Sequence, residues 1–496
     1  MIGPSRNVPP KASAMIETLR GLGYNTATAL ADLIDNSITA GATNVQIVFR
    51  WAGPASTVVV LDNGSGMDDG ELESAMRLGE RSPLDARTCN DLGRFGIGLK
   101  TASFSQCRRL TVATKKNAST HCLRWDLDVL AASPDGAWHL LEGPAPGSQY
   151  LVNELQATGT LVAWEVLDRI VTPGVTEQDF LDLIDRAECH IAMVFHRYLQ
   201  GPDPRLRLTI NDRLVRPWDP FLVNHPATWS SPIERLANGT VEVQCHVLPH
   251  KDRLTAHEHE SAGGPDGWTA QQGFYVYRNE RLLVAGNWIG LGQGKPWTKE
   301  EAHRLARIRL DIPNTADVDW KIDIRKATAR PPVGLRARLM RLAEDTRARA
   351  RRVFAHRGQV VPVAGGPTVS TAWRAEHTRE GIRYRIDTAH PAVAGVLADA
   401  GTLVTQVTAM LRVIEETIPV QRIWLDTVEQ KETPRTGFES APPDEVKGVL
   451  IIMYRNLINR RGLSPAHARE KLLHTDPFHR YPNLVTALPD DPGENQ

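Results

Sequence analysis

The sequence predicts an α/β protein of several domains: an N-terminal α/β sandwich, a second α/β region, and a helical C-terminal part. Three observations predict it. Short β-branched runs alternate with helical stretches in the order helix, strand, strand, helix, loop, helix, strand. Beyond residue 389 the patterning turns helical. A chain of 496 residues also exceeds what one core can hold, so about two to four domains are expected.

Residues 12–40 read as one helix or two short ones, ending in the polar cluster Asp35, Asn36, Ser37 before Gly41. NVQIVFRW (44–51) and STVVVLDNG (56–64) alternate as strands do, with a short turn between them. A helical stretch over 68–79 and a polar, breaker-rich segment over 80–95 follow. A glycine run then enters the helix GLKTASFSQC, and RRLTVATKK returns as a strand. This is not the regular alternation of a doubly wound sheet, and no G-x-x-x-x-G-K-[ST] loop is present. From about 170 to 330 the runs RLRLTIND, GTVEVQCHVLP, GFYVYRNERLLV and RIRLDIP read as strands. Residues 335–357 form a helix with Leu335, Leu339, Leu342, Thr346 and Val353 on one stripe and arginines elsewhere. GQVVPVAGGPTVS (358–370) has linker composition. Residues 391–417 are apolar and helical, 443–460 amphipathic, and Ser464-Pro465 supplies a cap and first-turn proline for a last helix.

Lysine plus arginine and aspartate plus glutamate each number 58, so any basic surface must be local. Cys89, Cys107, Cys122, Cys189 and Cys245 contain no C-x-x-C pair and no zinc-like histidine spacing, which favours reduced thiols. No apolar leader or run of membrane-spanning length appears, so a soluble, cytoplasmic protein without a membrane partner is expected.

Four short segments carry the chemistry. Asp32 and Asn36 stand at i and i+4 on a helix, one face and one turn apart, a suitable pair for a water and a Mg²⁺ beside a phosphate chain. Asp62 ends an apolar strand and is followed by Gly64, Gly66 and Met67. A carboxylate there can accept from an adenine amino group, and the glycines let backbone approach the base. Gly93, Gly96, Ile97, Gly98, Leu99, Lys100 and Thr101 belong to a glycine run opening a helix, whose free N–H groups make an anion site. Thr160, before the strand LVAWEV, offers a hydroxyl to bridge the Asp62 carboxylate.

Together, ALADLIDNSITAGATNVQI, VLDNGSGM and LGRFGIGLKTASFS resemble the GHKL superfamily of gyrase B, 90-kDa heat-shock chaperones, histidine kinases and MutL. They are most similar to MORC-type and MutL-type ATPases, strongly over 25–165 and more weakly through a region like the ribosomal S5 transducer. The resemblance implies a Bergerat α/β sandwich over 1–168. It further implies an S5-like transducer over 169–357 ending in the arginine-rich helix. Past about residue 360 the resemblance gives nothing, and composition and periodicity alone predict a linker over 358–388, a helical domain over 389–488 and a disordered tail over 489–496.

It also implies roles. Asp32 is the general base and Asn36 the Mg²⁺ ligand, while Asp62 fixes adenine with help from Thr160. The glycine run cradles the phosphates within a lid from about Gly79 to Phe95. Lys326, in IDIRKA, reaches the γ-phosphate from the second domain, with Arg325 as its competitor. Much of the family has Glu where this chain has Asp32, and the shorter side chain draws the base back from its water. Asp35 points away from the face shared by Asp32 and Asn36 and reads as a helix-end carboxylate packed against backbone.

The expected function is a slowly hydrolysing Mg-ATPase acting as a nucleotide-dependent homodimeric switch or clamp. Its setting would be DNA repair, restriction or phage defence, with DNA and a repair or defence protein as partners. The alternatives are a chaperone-like ATPase and a non-hydrolysing nucleotide sensor. The arginines of 336–357 read as a solvated face, and His250, His257 and His259 as loop residues rather than metal ligands. The apolar stripe of 391–417 and Trp51, Trp125 and Trp164 read as core.

Overall fold

The computed structural model describes residues 10–21, 23–80, 98–133, 136–155, 158–316, 319–322, 328–355, 370–378, 381–423, 444–459, 461–475 and 477–490. They divide into two compact units, up to Gln359 and from Val360 onward.

The first unit is built on two sheets. The first contains β1 (Asn44–Arg50), β2 (Thr57–Asp62), β3 (Arg109–Lys116), β4 (Ser119–Asp126), β5 (Leu141–Glu142), β6 (Gly159–Glu165), β7 (Arg207–Ile210) and β8 (Arg213–Leu214). Their spatial order is β5-β4-β3-β6-β2-β1-β7-β8. All neighbours are antiparallel except β1 and β7, which run parallel. Helices α1 (Ala12–Arg20), α2 (Thr26–Thr39), α3 (Asp69–Met76), α4 (Gly98–Phe104), α5 (Leu127–Ala132), α6 (Gln149–Val152), α7 (Glu177–Val194) and α8 (His196–Leu199) accompany it.

The two-residue period of the strands decides which face each side chain serves. Val45, Ile47, Val58, Val60, Val112 and Trp164 face the large core shared with α1, α2, α4 and α7. Val59, Ala113, Leu161 and Ala163 face the opposite side, where Leu151 of α6 covers them. Trp125 is buried as expected, and Trp51 is half-buried against the large core. Asn25 caps α2 by accepting the Thr28 amide at 2.8 Å, and α3 begins with a reciprocal Asp68–Glu71 capping box. The sheet runs past residue 168, where the sequence reading placed a boundary. Leu208 and Ile210 are buried beside Val45 and Ile47, because β7 extends the same hydrophobic face.

The second sheet contains β9 (Trp229–Ser230), β10 (Glu234–Leu236), β11 (Val241–Val247), β12 (Gly273–Arg278), β13 (Arg281–Asn287) and β14 (Ala306–Ile312). The order is β10-β11-β14-β12-β13, with β9 against β11. Helices α9 (Ala256–Gly263), α10 (Gly267–Ala270) and α11 (Val333–Ala355) belong with it. Helix α11 buries Leu339, Ala343, Thr346 and Ala350, one stripe at helical spacing, and leaves most of its arginines outside. Asn279 and Glu280 turn the β12–β13 hairpin with φ of 46° and 64°, both positive as the tightest hairpins require. The tip docks on the first sheet's helices: the Tyr198 hydroxyl donates to the Asn279 carbonyl at 2.6 Å, and Arg205 pairs with Glu280.

The second unit holds a hairpin, β15 (Trp373–Thr378) with β16 (Gly381–Ile386). Among the described residues the helices α12 (Pro391–Asp399), α13 (Val404–Glu416), α14 (Asp444–Asn459), α15 (Pro465–Leu473) and α16 (Pro482–Thr486) follow. The hairpin corrects the linker expected over 358–388. Its alternation was legible, but Glu415 of α13 anchors it by accepting from Arg385 at 2.8 Å and from the Ile386 amide at 2.8 Å. The core of this unit is Leu450, Met453, Tyr454, Leu457, Ala468, Leu472, Phe478 and Val485. The stripe expected as core in 391–417 is not buried: Val396, Leu403, Val404 and Ile414 are exposed.

Candidate nucleotide-binding site

Two segments meet at the C-terminal end of α2. Asp62 ends β2, and the loop after it folds back so that the Ser65 amide donates to the Ala40 carbonyl at 3.0 Å. The Ser37 hydroxyl, one residue past Asn36, donates to Asp62 Oδ2 at 2.8 Å. Asp62 Oδ1 accepts the Gly64 amide at 2.9 Å and the Thr160 amide at 3.2 Å. Burial pushes the Asp62 carboxyl above its ordinary value, while the donors from Gly64, Ser37 and Thr160 pull it down. The Thr160 hydroxyl does not bridge Asp62, contrary to expectation. It lies 3.3 Å from the Thr114 hydroxyl, because pairing of Asp62 with Thr160 across β2 and β6 presents the Thr160 N–H instead.

The glycines here are required by close backbone approach. A Cβ on Gly66 (φ 66°) would lie 2.1 Å from the Lys115 carbonyl oxygen, and one on Gly159 (φ 136°) 2.0 Å from that of Asp62. Gly64 is nearly as tight, with Ala40 Cβ at 2.9 Å. The Met67 amide donates to Thr114 Oγ1 at 2.8 Å, tying the loop to β3.

Asp32 and Asn36 occupy one face of α2. Asp32 is buried, and its Oδ2 accepts from the Tyr24 hydroxyl at 2.9 Å. Burial and the neighbouring carboxylate raise the Tyr24 phenol above its ordinary value, so it donates throughout the physiological range. The neighbouring Thr101 side chain acts on the same phenol in the opposite direction. The first residue of α4 faces the carboxylate: a Cβ on Gly98 would lie 3.5 Å from Asp32 Oδ2. Leu99 packs against the large core. Asn36 is exposed. Among the described residues no cluster of three His, Cys, Asp or Glu side chains is arranged for a metal ion. An exposed carboxamide one turn from a carboxylate still suits Mg²⁺, which takes few protein oxygens when phosphates supply the rest. His257 and His259 lie on α9 rather than in a loop, because Thr255 caps that helix; His259 stacks on Trp268 at 5.0 Å, and His250 accepts the Asp252 amide.

Two assignments change. Lys100 is buried and donates from Nζ to the Ala75 carbonyl at 2.9 Å, so it secures the end of α3. Burial brings its pKa down to about 8. Asp35 has a partner the sequence did not indicate: it is 1% exposed and ion-paired at 3.1 Å with Arg281, on the second sheet. Gly93, Gly96, Ile97, Arg325, Lys326 and the lid to Phe95 lie outside the described residues, as does Cys89. Cys107, Cys122, Cys189 and Cys245 are free thiols. Tyr24, Ser37, Thr114 and Arg281 were not anticipated. Ser37 was accessible from its place beside Asn36, whereas the other three depend on packing.

Residues 24–160 match the family described as histidine kinase-, DNA gyrase B-, and HSP90-like ATPase. This chain carries a GHKL ATPase domain and is MutL-like. It is 30% identical over 189 residues to the DNA mismatch repair protein MutL of Rhodospirillum rubrum, 38% of this chain and 26% of that protein. To MutL of Neisseria meningitidis serogroup B it is 33% identical over 120 residues, 23% of this chain and 18% of that protein. To MutL of Rhizobium etli it is 37% identical over 94 residues, 19% and 15% of the two chains. The chain thus spans about a quarter or less of the relatives it matches. The ATPase domain holds Asp32, Asn36 and Asp62, all inside the matched segment. Among the described residues no single helix is long and apolar enough to cross a membrane.

Proposed function

We propose that the chain binds ATP with Mg²⁺ and hydrolyses it slowly, using the nucleotide to switch a homodimeric clamp engaged in DNA-related work, repair or defence. The observation that carries the reading is the junction of α2 with the end of β2. It sets a half-buried Asp62, its carboxylate accepting from Ser37, Gly64 and Thr160, beside the helix that bears Asp32 and Asn36. Asp62 accepts the adenine amino hydrogen. The Gly64 to Met67 loop, with no Cβ at Gly64 or Gly66, lets the base lie against backbone. Asp32, held by Tyr24, orients the attacking water and takes its proton. Asn36 would hold Mg²⁺, which when bound neutralises phosphate charge. The start of α4 receives the phosphates, and the resemblance gives phosphate roles also to the glycine run before it and to Lys326, both outside the described residues. The DNA setting and the dimer rest on the likeness to MutL.

A second reading is favoured by one feature. Asp32 is both shorter than the Glu common in this superfamily and held at Oδ2 by Tyr24. A base so restrained suits a nucleotide sensor that binds without turnover.

Hydrolysis by wild type, Asp32→Asn and Asn36→Ala, with nucleotide binding followed in parallel, separates these. Slow turnover that disappears in Asp32→Asn while binding persists supports the ATPase. Binding without turnover in the wild type supports the sensor, and no binding at all refutes both. Salt-sensitive DNA binding would support the DNA setting over a chaperone-like one.

A further inference from the structure

Helix α2 carries both groups assigned to the phosphates, and a side chain from the second sheet reaches it. Arg281 opens β13 at the hairpin tip, and its Nε donates to Asp35 Oδ1 at 3.1 Å. Both side chains are almost fully buried, with 6% and 2% exposed. The guanidinium also donates from Nη1 to the Leu282 carbonyl at 2.8 Å and lies 5.8 Å from the Phe195 ring centroid, so it is held from its own side as well. The hairpin tip is pinned independently by Tyr198 on Asn279 and Arg205 on Glu280. The lever is therefore stiff at the hairpin end, and its other end grips α2.

Asp35 precedes Asn36 directly and follows Asp32 by three residues, about 60° round the helix. Turning α2 by about 10° would move groups at its side-chain radius of about 5 Å by about 1 Å. Misplacement of that size costs roughly 100-fold in rate for a positioned catalytic group. We propose that Arg281 is a positioning residue for the ATPase site. Through Asp35 it sets the rotation of α2 and so the aim of Asp32 and Asn36, making seating of the β12–β13 hairpin a condition for turnover. This rests on the ATPase reading above and adds to it a mechanical input from the second sheet that does not pass through Lys326.

The test uses the full chain as wild type, Arg281→Met, Asp35→Asn, the double variant and Arg281→Lys. Turnover, KM, the gain in ATP affinity on adding Mg²⁺, and thermal melting are measured. Either single change leaves a buried charge alone and lowers the melting point, so the neutral double variant is decisive, since replacing both members of a buried pair is often tolerated. It is expected to melt near wild type, while kcat falls roughly 10- to 100-fold and the Mg²⁺-dependent gain in ATP affinity shrinks. Arg281→Lys, which keeps the charge and loses the fork, is expected to retain an intermediate kcat. A double variant with wild-type kcat overturns the proposal, as does activity that merely tracks melting across the series. If wild type binds ATP without hydrolysing it, the Mg²⁺-dependent gain in affinity is read instead: its loss in the double variant supports the proposal, and its retention overturns it. A wild type that binds no ATP overturns the ATPase reading and this proposal together, whereas an active wild type matched by the double variant overturns this one alone.

Discussion

Replacing Asp62 by Asn tests the adenine assignment with little disturbance to the fold. Oδ1 keeps both of its backbone donors, from Gly64 and Thr160. The new amide stands at the Oδ2 position facing the Ser37 hydroxyl. That hydroxyl also has the Leu33 carbonyl at 3.3 Å, so it can turn its proton there and accept from the amide instead. The cost to folding is therefore small, and the melting point is expected to change by no more than a few degrees. Binding fares differently. The adenine amino group loses a charged acceptor, worth about 1.5–3 kcal/mol, and meets a donor, costing about 1–3 kcal/mol more. The sum implies a loss of ATP affinity of about 100-fold or more. Guanine presents a carbonyl where adenine presents its amino group, so the same change should weaken the preference for ATP over GTP. Titration calorimetry with ATP and GTP, beside a thermal melt, reads all three quantities. ATP binding within threefold of wild type would show that Asp62 does not face the base.

Other consequences are open to test. Gly159→Ala places a Cβ 2.0 Å from the Asp62 carbonyl oxygen at a φ of 136°, so it should destabilise the domain by about 1–3 kcal/mol or more in a denaturant titration and weaken ATP binding with it. Because burial raises the Asp62 carboxyl above its ordinary 3.8, acidification protonates it sooner than an exposed aspartate. Between 3.8 and that raised value the folded state holds the extra proton, so Asp62's contribution to stability grows as pH falls while ATP affinity drops; Asp62→Asn should abolish both trends. Lys100, with a pKa of about 8, loses its charge on folding between that value and 10.5. Its contribution to stability therefore rises with pH across that window. Denaturant titrations across that window should show the rise in wild type and not in Lys100→Met. In the second unit burial alone would raise Glu415, but Arg412, the Ile386 amide and Arg385 hold it down to about 2. Stability from that cluster is present above 4.5 and lost as pH falls from there towards 2. Glu415→Gln should flatten this acid transition in circular dichroism of the full chain.

What the sequence by itself determined is the local part of the candidate site, because that depends on neighbours along the chain. The i, i+4 spacing of Asp32 and Asn36 places both on one face of any helix. The glycines after Asp62 announce a loop that backbone must approach closely, and the structure supplies the contacts, with Lys115 and Ala40 in the way of any Cβ. The layered α/β architecture was legible for the same reason, since periods of 2 and 3.6 are local properties. The tertiary structure decided which partner each polar group finds. Asp62 meets the Thr160 amide rather than its hydroxyl because the register of β2 against β6 sets which atoms face across the ladder. Lys100 turned to Ala75 because burial leaves an ammonium few acceptors and a helix-end carbonyl lay within reach. Asp35 found Arg281, 246 residues away, through the docking of a hairpin tip. The exposed stripe of α12 and α13 shows the same limit: an apolar pattern says that a face can be buried, and only the packing of the other elements says whether it is.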